Sequence, residues 1–117
     1  MGTLTTHVLD TAQGIPAERV SCALFRMTGN TRAELIRTRT NSDGRLDRPL
    51  LEGTEFEAGT YELEFDIGHY FHHQPLDVSD PPFLSIVTIR FAIAETDEAM
   101  HVPLLVSPWS YSTYRGS

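Results

Sequence analysis

Apolar and polar side chains alternate over short runs along this chain, and clusters of Gly, Pro, Asn and Asp separate the runs. A period of two is the mark of a half-buried strand, because successive side chains point to opposite faces. The clearest run is Tyr61 to Ile67, where Tyr61, Leu63, Phe65 and Ile67 alternate with Glu62, Glu64 and Asp66. One face is apolar and the other acidic, as a strand with one side in a core requires. Val20 to Met27 is apolar on both faces and reads as a central strand. Ala33 to Thr40 and Leu84 to Ile93 are further strands; Thr3 to Asp10 opens the chain, Met100 to Val106 and Ser110 to Arg115 close it, and Leu50-Leu51 forms a short edge strand. Turn signals fall between them at Ala12-Gln13-Gly14-Ile15-Pro16, Asn41-Ser42-Asp43-Gly44 and Asp80-Pro81-Pro82. Gly68 to Pro75 reads as one short helix. The pattern predicts an all-β, antiparallel β-sandwich forming a single domain over residues 1–117.

The same alternation assigns faces. Leu4, Thr6 and Val8 share one side of the first strand, and Thr5, His7 and Leu9 share the other. In the run from Met100 to Val106, the set Met100, Val102, Leu104 and Val106 is uniformly apolar, which leaves His101, Pro103 and Leu105 opposite. With the uniform sets packed inside, His7 and His101 both project from an outer sheet surface, together with Leu9, Pro103 and Leu105. Apolar residues on an outer face predict a covered surface, so a subunit interface is expected there. Most histidines do no chemistry, but two imidazoles on a partly covered face are candidates for general acid–base work.

Composition narrows the function classes. The chain has 117 residues and a formal charge of −7, and its nine basic residues are all arginines. No dense basic stripe is available for a phosphate backbone, which argues against nucleic acid. The lack of lysine excludes Schiff-base, P-loop and Ser-Lys mechanisms. The one cysteine, Cys22, rules out an internal disulfide and fits a reducing, cytoplasmic setting. No apolar stretch is long enough to span a bilayer as a helix. His69, His72 and His73 would share one side of a helix, but no carboxylate or cysteine completes a metal set nearby, so they read as a solvated cluster. The turn Asn41 to Gly44 superficially looks like a calcium loop, but Arg39 and Leu50 stand at the first and closing ligand positions. It reads instead as a tight bend that presents Arg45, either as an ordinary surface charge or as an anion anchor. The C-terminal run Ser107 to Ser117 is dense in hydroxyls and aromatics and offers Tyr114 and Arg115 as donors to a polar ligand. No Gly-x-Ser-x-Gly elbow supports a covalent serine mechanism.

The stretches Leu4 to Ala17 (LTTHVLDTAQGIPA) and His101 to Ser117 (HVPLLVSPWSYSTYRGS) resemble the N- and C-terminal signatures of the transthyretin-like proteins. Thr40 to Arg45 and Pro81 to Leu84 also match, so the likeness covers nearly the whole chain. That family has a hormone-carrying branch and a 5-hydroxyisourate hydrolase branch. The terminal Tyr114-Arg115-Gly116-Ser117 resembles the hydrolase mark, and His7, Arg45 and His101 match that branch's His, Arg, His set. The resemblance implies a sandwich of two four-stranded sheets and a homotetramer, a dimer of dimers, with sites in a channel between dimers. It implies hydrolysis of 5-hydroxyisourate to 2-oxo-4-hydroxy-4-carboxy-5-ureidoimidazoline in urate breakdown, with no metal or organic cofactor. Under this reading His7 and His101 carry the proton transfers. Arg45 binds urate-like oxygens, Tyr114 holds substrate or water, and Ser112, Arg115, Gly116 and Ser117 complete the pocket wall. The competing readings are a non-enzymatic carrier of small aromatic ligands and a sandwich with no ligand.

Overall fold

The computed structural model describes residues 2–116. The strands are β1 (Thr3–Asp10), β2 (Ile15–Pro16), β3 (Ser21–Thr28), β4 (Thr31–Arg39), β5 (Leu51–Glu52), β6 (Gly59–Asp66), β7 (Ile86–Ile93), β8 (Ala99–Val106) and β9 (Tyr111–Thr113), and one helix, α1 (Ile67–His72), follows β6. They form two sheets, one of order β2-β1-β8-β9 with β5 also on β1, the other of order β4-β3-β6-β7. The all-β sandwich with one short helix read from the alternation is the fold. Two details differ. Ile15-Pro16, expected as part of a turn, pairs with the end of β1. And β1 runs parallel to β8, Thr3 opposite Ala99 through Asp10 opposite Val106, in an otherwise antiparallel architecture. A parallel pair needs a long crossover; here nearly the whole chain lies between the two strands, and periodicity carries no sign of strand direction.

The inner faces interlock as the alternation requires. Leu4, Val8, Leu24, Leu63, Phe65, Leu104 and Val106 are fully buried in one cluster. Tyr61 is buried with its hydroxyl satisfied, donating to the Glu57 carbonyl at 2.7 Å and accepting from Arg26 at 2.9 Å. Asp10, also fully buried, accepts hydrogen bonds from the Gln13 amide groups and from the Tyr70 hydroxyl at 2.8 Å, which ties α1 to the end of β1. Such pairing is what makes a buried carboxylate tolerable.

The two outer faces differ in kind. On the four-stranded sheet, Glu62 and Glu64 of β6 meet Arg32 of β4 and Arg90 of β7 at 2.7–3.1 Å, and the Arg32 guanidinium lies 3.9 Å from the Phe25 ring centroid. That surface is charged and self-satisfied. The outer face of the other sheet carries His7, Leu9, His101 and Leu105, all half-buried, together with a buried Pro103.

Candidate active site

Three short segments stitch the outer edge of β1. At its start β5 pairs with Thr3 and Leu4. At its end β2 pairs with Leu9 and Asp10. Between them the bend after β4 fills the gap: the Val8 amide donates to the Gly44 carbonyl at 2.8 Å, and Arg45 forms a bridge with His7. The bend is held by Asn41, whose side-chain oxygen accepts from the amides of Asp43 and Arg45 at 2.9 and 3.2 Å. Gly44 has φ +72°, and a Cβ there would run into the Val8 carbonyl. Glycine at this position is what lets the bend lie flat on β1 and deliver Arg45 beside His7.

On the other side of β1 lies β8, and beyond it the C-terminal segment. The His101 amide donates to the Gly116 carbonyl at 3.2 Å and the Gly116 amide to the His101 carbonyl at 2.7 Å. This bridge keeps the offset of the β8/β9 pairing. Three rows therefore cross the outer face: Thr5, His101 and Gly116; then His7 and Pro103; then Leu9, Leu105 and Ser112. Arg45 extends the second row beyond His7. One strand spacing and two residue rises separate the Cα atoms of His7 and His101 by roughly 8 Å, a span that a small planar heterocycle fills.

Of the residues expected at the site, His7, Arg45, His101 and Gly116 come together. Tyr114 follows β9, is 58% exposed, and lines a cleft with Met100, Val102 and Arg115. Ser112 lies opposite Leu105, about 13 Å along the strand direction from His101, so one chain does not bring it to the imidazoles. Arg115 stands between the register positions of Tyr114 and Gly116, and its guanidinium donates to Asp97 at 2.8 Å; within this chain it ties down the terminus instead of facing the histidines. Ser117 lies outside the described residues.

Burial pushes both imidazoles below their ordinary pKa, and the Arg45 guanidinium adds to the shift in each. His7 lowers His101 further, while the Asp43 backbone and carboxylate partly oppose the shift of His7. Desolvation and a neighbouring cation both disfavour imidazolium, so each ring is neutral at neutral pH and able to accept a proton. Nδ1 of His101 lies 2.8 Å from the Thr5 hydroxyl, which leaves Nε2 for chemistry. A cleft of about 130 Å³ lined by Thr5, Arg45, Asp47 and Arg48 adjoins the site. Among the described residues no group of three or more His, Cys, Asp and Glu side chains could hold a metal ion. The arrangement is thus two neutral bases and a guanidinium that has no carboxylate partner among the described residues, around one surface.

Sequence reasoning missed Thr5 and Gly44. Thr5 does share a face with His7 by alternation, but its partnership with His101 depends on the parallel register. Gly44 was visible as a turn glycine, without any sign that the turn packs on β1.

Residues 4–116 match the model of the HIUase/Transthyretin family. A 5-hydroxyisourate hydrolase from Ralstonia nicotianae is 53% identical over 117 residues, covering all of both chains. The fold superposes on Klebsiella pneumoniae 5-hydroxyisourate hydrolase with a TM-score of 0.81 at 32% identity, covering all of both chains. It superposes on (S)-allantoin synthase with a TM-score of 0.92 at 46% identity, where 99% of this chain spans 44% of that one. With the match running from the first strand to Gly116, and the two imidazoles and the guanidinium gathered on one sheet face, the chain belongs to the HIUase/Transthyretin family.

Proposed function

We propose that this protein hydrolyses 5-hydroxyisourate, opening the ring at its amide-type bond to give the carboxylated ureidoimidazoline. The observation that carries this reading is the meeting of His7, Arg45 and His101 on one face, with both imidazoles held neutral. Hydrolysis of an amide-type bond needs a deprotonated water, a stabiliser for the developing oxyanion and a proton for the departing nitrogen. Water adds to the carbonyl carbon, the carbon–nitrogen bond breaks, and the proton lost by the water reaches the nitrogen, so no redox partner enters. His7 and His101 supply the two proton transfers across the bound ring. Arg45 offers a planar fork to the urate-like oxygens, and its local positive charge offsets the −7 of the chain, which would otherwise repel an anion. Gly116 forms the wall against His101, and Tyr114, Ser112, Arg115 and Ser117 complete the pocket around it.

The outer face in one chain is open, and Leu9 and Leu105 flank the site on it. We therefore read this face as the contact between dimers of a homotetramer, which closes the site and brings Ser112 and Tyr114 into it. A cytoplasmic setting belongs to the same reading and rests on the lone buried thiol of Cys22, which burial pushes up to about 12. The test is to generate 5-hydroxyisourate with urate oxidase and follow its decay spectroscopically. Acceleration over the spontaneous rate is expected; decay at the spontaneous rate would overturn the reading in favour of a ligand carrier.

A further inference from the structure

Five of the nine arginines carry the ion pairs of the fold: Arg26, Arg32, Arg37, Arg90 and Arg115. Among the described residues the other four have no carboxylate partner, and they stand two and two. Arg45 and Arg48 line the cleft beside the candidate active site. Arg19 and Arg39 line a separate cleft of about 240 Å³ at the α1 end of the sandwich. Guanidinium groups without such partners, collected in a concavity of an acidic protein, call for an anion, because each presents a donor fork that no described residue fills.

We propose that the cleft between α1 and the segments around Arg19 and Arg39 is a second binding site, for a small oxyanion bearing phosphate or carboxylate groups. Its two cationic arms are stitched together: the Arg19 amide donates to the Thr40 carbonyl at 3.0 Å, and the buried Thr40 hydroxyl donates to the Ala17 carbonyl and accepts from the Val20 amide. Opposite them, His69 of α1 and His73, the residue that caps its C-terminus, have ring centroids 4.6 Å apart, with His73 Nδ1 2.9 Å from the His69 carbonyl. Gln74 adds an amide to the lining, and Glu18 is the one carboxylate in it. Tyr70, buried and bonded to Asp10, makes a rigid floor. The backbone of Arg19 takes φ +64°, a conformation that glycine adopts with less strain. Strain retained at a side-chain-bearing position is a frequent companion of binding sites. The histidine cluster that the sequence left as solvated thereby gains a role, without a metal.

Binding is tested on the full chain by nitrogen–proton NMR, titrating inorganic phosphate and, separately, succinate. Saturable shifts are expected around Arg19, Arg39 and α1. A response to phosphate alone identifies a phosphoryl ligand, and a response to succinate alone a carboxylate; either supports the site. Arg39→Gln is expected to weaken binding roughly 10- to 100-fold, the worth of a charge-assisted hydrogen bond. Arg19→Gly suits the φ of that position, so it folds, and it is expected to lose binding to the same degree. Arg45→Gln leaves binding at this cleft unchanged. No saturable shift there with either probe, or shifts that survive both Arg19→Gly and Arg39→Gln, would overturn the proposal.

Discussion

Nδ1 of His101 lies 2.8 Å from the hydroxyl of Thr5, the residue directly opposite it on the neighbouring parallel strand. This contact fixes the ring and decides which nitrogen faces the open side of the sheet. Thr5→Val keeps the shape and removes the hydroxyl. Turnover of 5-hydroxyisourate is expected to fall about tenfold, the effect of one net hydrogen bond of about 1.4 kcal/mol. Thr5→Ser should restore most of it. A structural role alone would lower the melting temperature without this rescue, so steady-state kinetics and thermal unfolding together decide.

The two histidines sit on an outer face, half-buried, so removing either leaves the core intact. His7→Ala and His101→Ala are each expected to lower kcat about 10²- to 10⁴-fold, the usual range for a positioned acid or base. Circular dichroism and thermal melts should stay close to those of the parent. An unchanged rate in either variant removes that residue from the mechanism.

Both imidazoles have pKa values held below the usual 6.5 by burial and by Arg45. A required neutral base then survives to lower pH than a free histidine would. The acid limb of kcat/KM should fall below pH 6.5, and Arg45→Gln should move it upward. Because the unfolded chain takes up protons first on acidification, these groups also make the fold less stable as pH drops through 6.5. A limb at or above 6.5 would count against a base held below its ordinary pKa by burial and Arg45.

Gly44 acts at a distance. Its φ of +72° and the closeness of the Val8 carbonyl leave no room for a side chain. Gly44→Ala is expected to lift the bend from β1, cost about 1–3 kcal/mol of stability, and lower kcat/KM by misplacing Arg45. The drop should approach that of Arg45→Gln, although Gly44 offers no side chain to a ligand.

A Cβ on Gly116 would lie 3.1 Å from Cβ and 3.2 Å from Cδ2 of His101. Gly116→Ala should therefore displace the imidazole and reduce turnover. Residues appended after Ser117 are expected to do the same, since Gly116 lies beside the ring. Full activity in a long C-terminal fusion would separate the chain end from the site.

Alternation alone determined the long strands, the inner and outer faces, and the emergence of His7 and His101 on one side of the sheet, though not the short β2. These are local properties: a period of two follows from the pleat, and burial follows from which set of alternate residues is apolar. The motifs around His7, Arg45 and His101 pointed to the family by likeness. Tertiary structure alone decided that β1 and β8 run parallel, that Thr5 therefore meets His101, that the Gly44 bend packs on β1, and that Arg115 turns to Asp97. It also decided that Arg19 and Arg39 meet His69 and His73 in one cleft. Each of these joins segments far apart in the chain, and hydrogen-bond register between distant strands leaves no periodic trace in either of them.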